Sequence, residues 1–486
     1  MIEKVRAANP YDVTIYNLKQ LQKTIERLAV LEAPGFVVRM DKNEAAVYGD
    51  EVLALLGQAR ETLTAKYQVT LEEPIYVEIF PKQKDFAIRT FGMPGGQGFL
   101  GVCFGRLITA NSPAALSVHS NWKSVLWHEY CHVVTLQKTK NKMPRWLSEG
   151  ISVYEEGLKN KAWGQPLDPT YRKMLLGEDF FPISDLSSAF LKAKSPLHLQ
   201  FAYYESSVAV QFFMEQYGIE ALLRMLDDLA VGMPINDALR RAPGSLEALD
   251  KGFEQYAKGV AKGMGSGTDW SEPESNLDPS SKEIWYQEHP ESYAAIEREL
   301  KSLLERQEWA QALVQAERLR DLRPEDSRED SVYAFMAGIH RELHDVPAER
   351  EALRTVVQRT SSAVDALRRL CEIDESSQNW EGLKQWSDLW IEVQPLSSQA
   401  QSSRARAADQ LNEWETARNA WRACLALDPA EESYFRFRLA YATHQLGLAE
   451  EAKKEVLLAL EDSPRYSDAL RLLLTINDQV LDEAPK

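Results

Sequence analysis

The chain has 486 residues, enough for two or three domains, and its 44% apolar share suits a soluble globular protein. A net charge of −17 with no Lys/Arg run excludes nucleic acid as an expected partner. The four cysteines (Cys103, Cys131, Cys371 and Cys424) form neither a C-x-x-C pair nor a disulfide framework, and no run of eighteen apolar residues predicts a membrane span.

Residues 1–35 read as a polar N-terminal helical segment without an apolar leader, so the chain as written is expected to be cytoplasmic. A truncated N-terminus would make it periplasmic or secreted. Residues 36–40 and 75–80 alternate or run apolar, as strands do, and residues 48–67 between them have helical spacing. Residues 92–101 are glycine-rich and read as a loop. Residues 106–111 read as a further strand, stopped by Ser112-Pro113.

Residues 121–138 form one predicted helix, with Asn121 or Ser120 as its cap. Leu126, Tyr130, Val133 and Leu136 make its apolar face, and Cys131 belongs with the core. Within it lies His128-Glu129-Tyr130-Cys131-His132, the H-E-x-x-H pattern. Residues four apart on a helix share a face, so His128 and His132 can reach one metal ion. Glu129 is one step round the helix, beside the metal, where a carboxylate can take a proton from water.

Downstream, Pro144 suits the first turn of a second helix, and a short polar loop turns the chain back. Glu149 lies in that helix among Trp146, Leu147, Ile151 and Tyr154. A carboxylate in an apolar face needs a partner, and a metal supplies one. Residues 201–210 open another helix, which ends near Tyr217-Gly218. Tyr203 is the foremost candidate to stabilise an oxyanion there, with Tyr204 second and His198 third.

Residues 263–284 are rich in Gly, Ser, Pro and acids, which is linker composition. Beyond them the pattern is helical and periodic. Trp309, Trp380 and Trp414 recur at 71 and 34 residues, and Pro324, Pro395, Pro429 and Pro464 at 71, 34 and 35. A period near 34 is that of tetratricopeptide repeats, and about five helix pairs are expected, with a degenerate unit around Val346-Pro347. Such repeats contact only their neighbours, so the C-terminal half is expected to fold without the N-terminal half.

The run from Trp146 to Glu156, W-L-S-E-G-I-S-V-Y-E-E, resembles the W-L-x-E-G-x-x-x-Y-x-E run of gluzincin metallopeptidases. Residues 36–258 resemble the bacterial peptidase-MA-like domain, often joined to tetratricopeptide repeats. Residues 202–206, A-Y-Y-E-S, resemble a segment that follows the zinc helices in those proteins. The resemblance implies an α+β zincin-like domain (36–262), with a small mixed sheet and active-site helices, then an all-α tetratricopeptide-repeat solenoid (285–486). It implies one Zn2+ per chain on His128, His132 and Glu149, with Glu149 as third ligand. Glu129 and Tyr203 would be catalytic, and 106–111 would be the sheet edge bordering the cleft. The G-x-M-E-N motif of the aminopeptidase branch is missing, which favours internal cleavage of a peptide or protein substrate. The repeats would recruit substrate or a protein partner. A binding scaffold with a slow or vestigial zinc site, or a zinc hydrolase acting on a non-peptide substrate, remain the alternatives.

Overall fold

The computed structural model describes residues 13–95, 98–242, 244–328 and 330–483. The first twelve residues of the expected N-terminal segment, and Gly96 of the glycine-rich loop, lie outside the described residues.

The segment 1–35 is not wholly helical. Helix α1 (Val13–Ile25) is followed by strand β1 (Ala29–Ala33), which turns at Gly35 into β2 (Phe36–Met40) as an antiparallel hairpin. Gly35 has φ +87°, and a β-carbon there would also strike the Glu73 carboxylate. In β2 the alternate side chains Phe36, Val38 and Met40 are buried while Val37 and Arg39 are partly exposed, as a period of two requires. Helix α2 (Lys42–Tyr67), capped by the Asp41 carboxylate, crosses over to β3 (Ile75–Phe80), which pairs parallel with β2. Helix α3 (Gln83–Phe91) and the loop after it lead to β4 (Gly101–Phe104) and β5 (Leu107–Asn111).

The sheet order is β1-β2-β3-β5-β4. This corrects the expectation for residues 106–111. Strand β5 is internal, parallel to β3 and antiparallel to β4, and β4 is the edge. The reason is the tight β4–β5 hairpin, in which Gly105 takes φ +69° and folds the four-residue β4 back along the outside of β5.

One sheet face carries α2 and helix α4 (Trp122–Lys138), joined in the main core through Val38, Leu56, Ile79, Tyr130 and Val134. The other face carries α1 and α3, closed by Leu21, Phe80, Phe86 and Ile88. Helix α4 returns as α5 (Arg145–Lys159). Two short helices follow, α6 (Pro169–Leu176) and α7 (Leu186–Leu191), and then the long α8 (Pro196–Ala230), interrupted at Gly218, where φ is +74°. Helices α9 (Ile235–Arg240) and α10 (Leu246–Gly263) complete this half.

From residue 279 onwards the described structure is helical. After α11 (Pro279–Glu288) come the pairs α12 (Tyr293–Glu305) and α13 (Trp309–Leu322), α14 (Val332–Glu342) and α15 (Val346–Arg359), and α16 (Val364–Ser376) and α17 (Trp380–Ile391). Then come α18 (Ser398–Gln410) and α19 (Trp414–Ala426), α20 (Glu432–Gln445) and α21 (Ala449–Asp462), and a last helix α22 (Ser467–Glu483). Each packs on the next in sequence. Within every pair the turn uses a left-handed residue two positions before the second helix: Gln307, His344, Gln378, Asn412 and Gly447. The irregular unit at Val346-Pro347 shares this turn. Two pairs also share a buried contact, in which a Trp indole donates to an Asp carboxylate: Trp386 to Asp374 at 2.7 Å and Trp421 to Asp409 at 2.9 Å. A mixed sheet followed by a long helical region fits a zincin-like domain followed by helical repeats.

The two halves are in contact. The Trp122 backbone N–H, at the first turn of α4, donates to the Glu392 carbonyl at 3.0 Å, and its indole N–H donates to the Ile391 carbonyl at 3.2 Å. The Glu392 carboxylate takes Asn121 Nδ2 at 3.0 Å and Lys123 Nζ at 3.1 Å. Glu51 on α2 pairs with Arg404 on α18 at 2.6 Å. The expected linker is also held. The Tyr293 N–H donates to the Asp269 carbonyl, Trp270 stacks on Tyr293, and Arg172 lies 5.1 Å from the Trp270 ring. The chain nicked between 272 and 277, where it is largely exposed, should therefore run as one species in gel filtration rather than as two. Glu392→Ala should lower stability by about 1–3 kcal/mol, because it strands Asn121 Nδ2 and removes one of the two carboxylates on Lys123. A thermal or urea melt checks this.

Candidate metal centre

Helix α4 begins because Asn121 accepts the N–H groups of Lys123 and Ser124, and its buried face is continuous from Trp122 to Thr135. This fixes the α-helical phase that sets His128 and His132 one above the other. The chain leaves α4 at Thr139 and reverses through Lys140 and Asn141, both left-handed, into Pro144, the N-cap of α5. Residues 145–159 then run along α4 with Trp146, Leu147 and Ile151 in the core and Glu149 facing the histidines.

The three side chains expected to be ligands converge. His128 Nε2 and His132 Nε2 are 3.0 Å apart, and Glu149 Oε2 lies 3.4 Å from the first and 3.2 Å from the second. Around a tetrahedral zinc with ligand distances of about 2.0–2.1 Å, neighbouring ligand atoms lie roughly 3.3 Å apart. The spacing thus fits one small cation, and no other cluster of three such groups occurs among the described residues.

The far nitrogens are tied down. His128 Nδ1 meets Glu156 Oε1, and His132 Nδ1 meets Ser148 Oγ at 2.8 Å and Ser152 Oγ at 3.2 Å. These contacts aim both Nε2 atoms inward, as the partners of metal-bound histidines do. Sequence reading assigned no role to Glu156, Ser148 or Ser152. The signal was available: Glu156 is seven residues after Glu149 on the same helix, and so on the same face.

Charge follows the same geometry. Burial opposes the His128 cation, yet Glu156 and Glu149 outweigh it and hold that imidazole well above its ordinary pKa. Burial alone would raise Glu149, but His132 and His128 hold its carboxyl well below the usual range. Each group thus favours the charged form of the other.

Glu129 is 5% exposed, and its Oε2 has no hydrogen-bond partner among the described residues. Burial pushes its carboxyl pKa up. Strand β4 passes over it so closely that a β-carbon at Gly101 would lie 2.8 Å from its Cγ and Oε1. An orphaned buried acid beside the cluster is costly unless something enters the space to use it.

Tyr203 lies on α8, and its hydroxyl accepts from Arg145 Nη2 at 2.8 Å. Burial and Glu149 push its pKa up to about 12, so it keeps its proton at neutral pH. Helix α8 comes this near because α5 carries glycine at 150: a β-carbon there would sit 2.5 Å from the Ser206 carbonyl oxygen. The other two candidates lie elsewhere. Tyr204 is buried and stacks on Tyr171 with ring centres 5.0 Å apart, and His198 pairs with Ser195 and Asp179. Sequence reading also passed over Arg145, which touches both Tyr203 and Glu149.

Protein purified without added metal should carry about one equivalent of divalent metal, measured by elemental analysis. Replacing both Ser148 and Ser152 with Ala should weaken that affinity by about 10–100-fold, because His132 loses the bonds that orient it.

Residues 57–259 match the family model described as the Peptidase MA superfamily. No curated protein matches the chain. The matched span runs from within α2 to within α10 and includes the site side chains named here, from His128 to Tyr203. It supports a peptidase-MA-like domain in this part of the chain and points to hydrolysis of the metallopeptidase type.

Proposed function

We propose that residues 36–262 form a zinc-dependent peptidase of the gluzincin type, and that the helical half from residue 285 is a tetratricopeptide-repeat arm that recruits its substrate or a partner. The observation that carries this reading is the convergence of His128, His132 and Glu149 beside an unpartnered, buried Glu129.

His128 Nε2, His132 Nε2 and a Glu149 carboxylate oxygen would hold one Zn2+. When bound, zinc supplies Lewis acidity, which makes water nucleophilic at neutral pH and draws charge from a carbonyl oxygen. Glu129 takes the proton of the attacking water at Oε2 and returns it to the leaving amine. Its raised pKa suits both halves of that exchange, and burial keeps competing water away from the carboxylate. Tyr203 holds its own proton and offers the O–H to the oxygen on which charge develops.

Strand β4 borders Glu129 and is the outermost strand on its side of the sheet. An extended chain can add to it through main-chain hydrogen bonds without needing a free terminus. This favours internal cleavage of flexible polypeptide. Among the described residues no helix is long and apolar enough to cross a membrane. The substrate is read as a peptide or protein.

Glu129→Gln should keep the metal and lose hydrolysis by about 10²–10⁴-fold, since an amide accepts no proton. Gly101→Ala should act the same way more weakly, by pushing the Glu129 carboxylate aside. The substrate class is tested with an internally quenched peptide blocked at both ends against an amino-acid anilide. Turnover of the blocked peptide supports the reading. Turnover of the anilide alone rejects internal cleavage, and turnover of neither, by protein that holds its zinc, favours a binding scaffold.

A further inference from the structure

Arg145 opens α5, four residues before Glu149, and its side chain is 48% exposed. It lies 4.9 Å from the centre of the Phe190 ring and 5.7 Å from that of Tyr203, and those two rings meet edge to face at 5.3 Å. Phe190 is on α7, Tyr203 on α8 and Glu149 on α5, so one guanidinium joins three helices at the site. Nη2 donates to Tyr203 Oη at 2.8 Å, and Nε points to Glu149 Oε1 at 3.4 Å.

The two contacts have distinct consequences. A phenol oxygen carries one proton and accepts through its lone pairs. With a guanidinium N–H on one lone pair, the Tyr203 proton is turned away from Arg145 and left free to donate. The Glu149 carboxylate raises the Tyr203 pKa both by its charge and by a side-chain hydrogen bond, so the phenol proton lies toward the ligand cluster. The second contact engages Oε1 of Glu149 and leaves Oε2, the atom nearest both histidines, for the metal. The planar fork of an arginine spans both targets, and a lysine ammonium reaches only one at a time.

Resting on the peptidase reading above, we propose that Arg145 is a positioning residue that locks the Tyr203 hydroxyl toward the reacting carbonyl and fixes which oxygen of Glu149 faces the metal. It acts through these two groups and does not itself touch the substrate.

The test is a double-mutant cycle with a metal-binding arm. At saturating zinc, Arg145→Ala should lower kcat about 10–100-fold with little change in KM, a part of the loss expected for removing an oxyanion donor outright. In a Tyr203→Phe background the same substitution should cost less than about twofold, because the group it positions is gone. Arg145→Lys should recover part of the loss, and added methylguanidinium should recover part of it in Arg145→Ala, since the position is open to solvent. An equal cost in both backgrounds overturns the Tyr203 role. Separately, zinc affinity measured by competition with a chromophoric chelator should fall about tenfold or more in Arg145→Ala. Unchanged affinity overturns the Glu149 role. A wild type that holds zinc and cleaves nothing rejects the peptidase reading instead, and the chelator competition still decides the hold of Arg145 on Glu149. Matching thermal melts of the variants separate either result from a folding defect.

Discussion

Two imidazole nitrogens and a carboxylate oxygen held within 3.4 Å of one another are the constraint on which this half of the molecule turns. Left to themselves, the imidazoles would rotate to separate positions in water. They do not, because Glu156, Ser148 and Ser152 occupy their far nitrogens, and these three residues lie on the same helix as Glu149. Helix α5 therefore supplies one converging oxygen and all the orienting contacts for the two that come from α4. The tight reversal at Lys140 and Asn141 sets α5 beside α4. Glycine at 150 then lets α8 pass close enough to deliver Tyr203. A compact turn and one missing side chain thus fix how these side chains meet.

How much of this was legible follows the range of the interaction. Spacing along a helix is local information, so the phase of His128 and His132 could be read directly, as could the placement of Glu149 on a second helix. The periodic tryptophans likewise marked where the second helix of several pairs begins: Trp309, Trp380 and Trp414 open α13, α17 and α19. Strand β4 was illegible because four residues, one of them glycine, carry no alternation to detect, and its place outside β5 depends on a hairpin turn at Gly105. Strand β1 was hidden for a similar reason. Its pattern Ala-Val-Leu-Glu-Ala has helical propensity, and only the hairpin with β2 makes it a strand. Arg145 was overlooked because its partners lie on three helices.

The largest departure from expectation concerns the two halves. Composition marked 263–284 as a flexible connector, and repeat periodicity implied a self-sufficient arm. Neither signal carries information about surfaces that meet across some 270 residues of sequence, such as Trp122 with Ile391 and Glu392. Partly buried charge crosses the contact. Burial opposes ionisation of Glu51, yet Arg404 from the helical half and Lys123 from α4 outweigh it and hold the carboxyl below its ordinary range. Each of these groups has a second partner, Glu392 for Lys123 and Asp388 for Arg404, so the charges form a network across the contact.

That contact falls at an informative place. It engages the first turn of α4, two turns before His128, where the helix has backbone N–H groups that no residue of its own can satisfy. Asn121 covers two of them, and the carbonyl of Glu392 takes a third. The end of α17 thus abuts the start of the helix that bears both histidines, and the indole of Trp122 is held between the halves. A displacement of α17 relative to its neighbours would have to break these bonds or carry α4 with it. The arm is therefore built into the support of the site as well as into its surroundings.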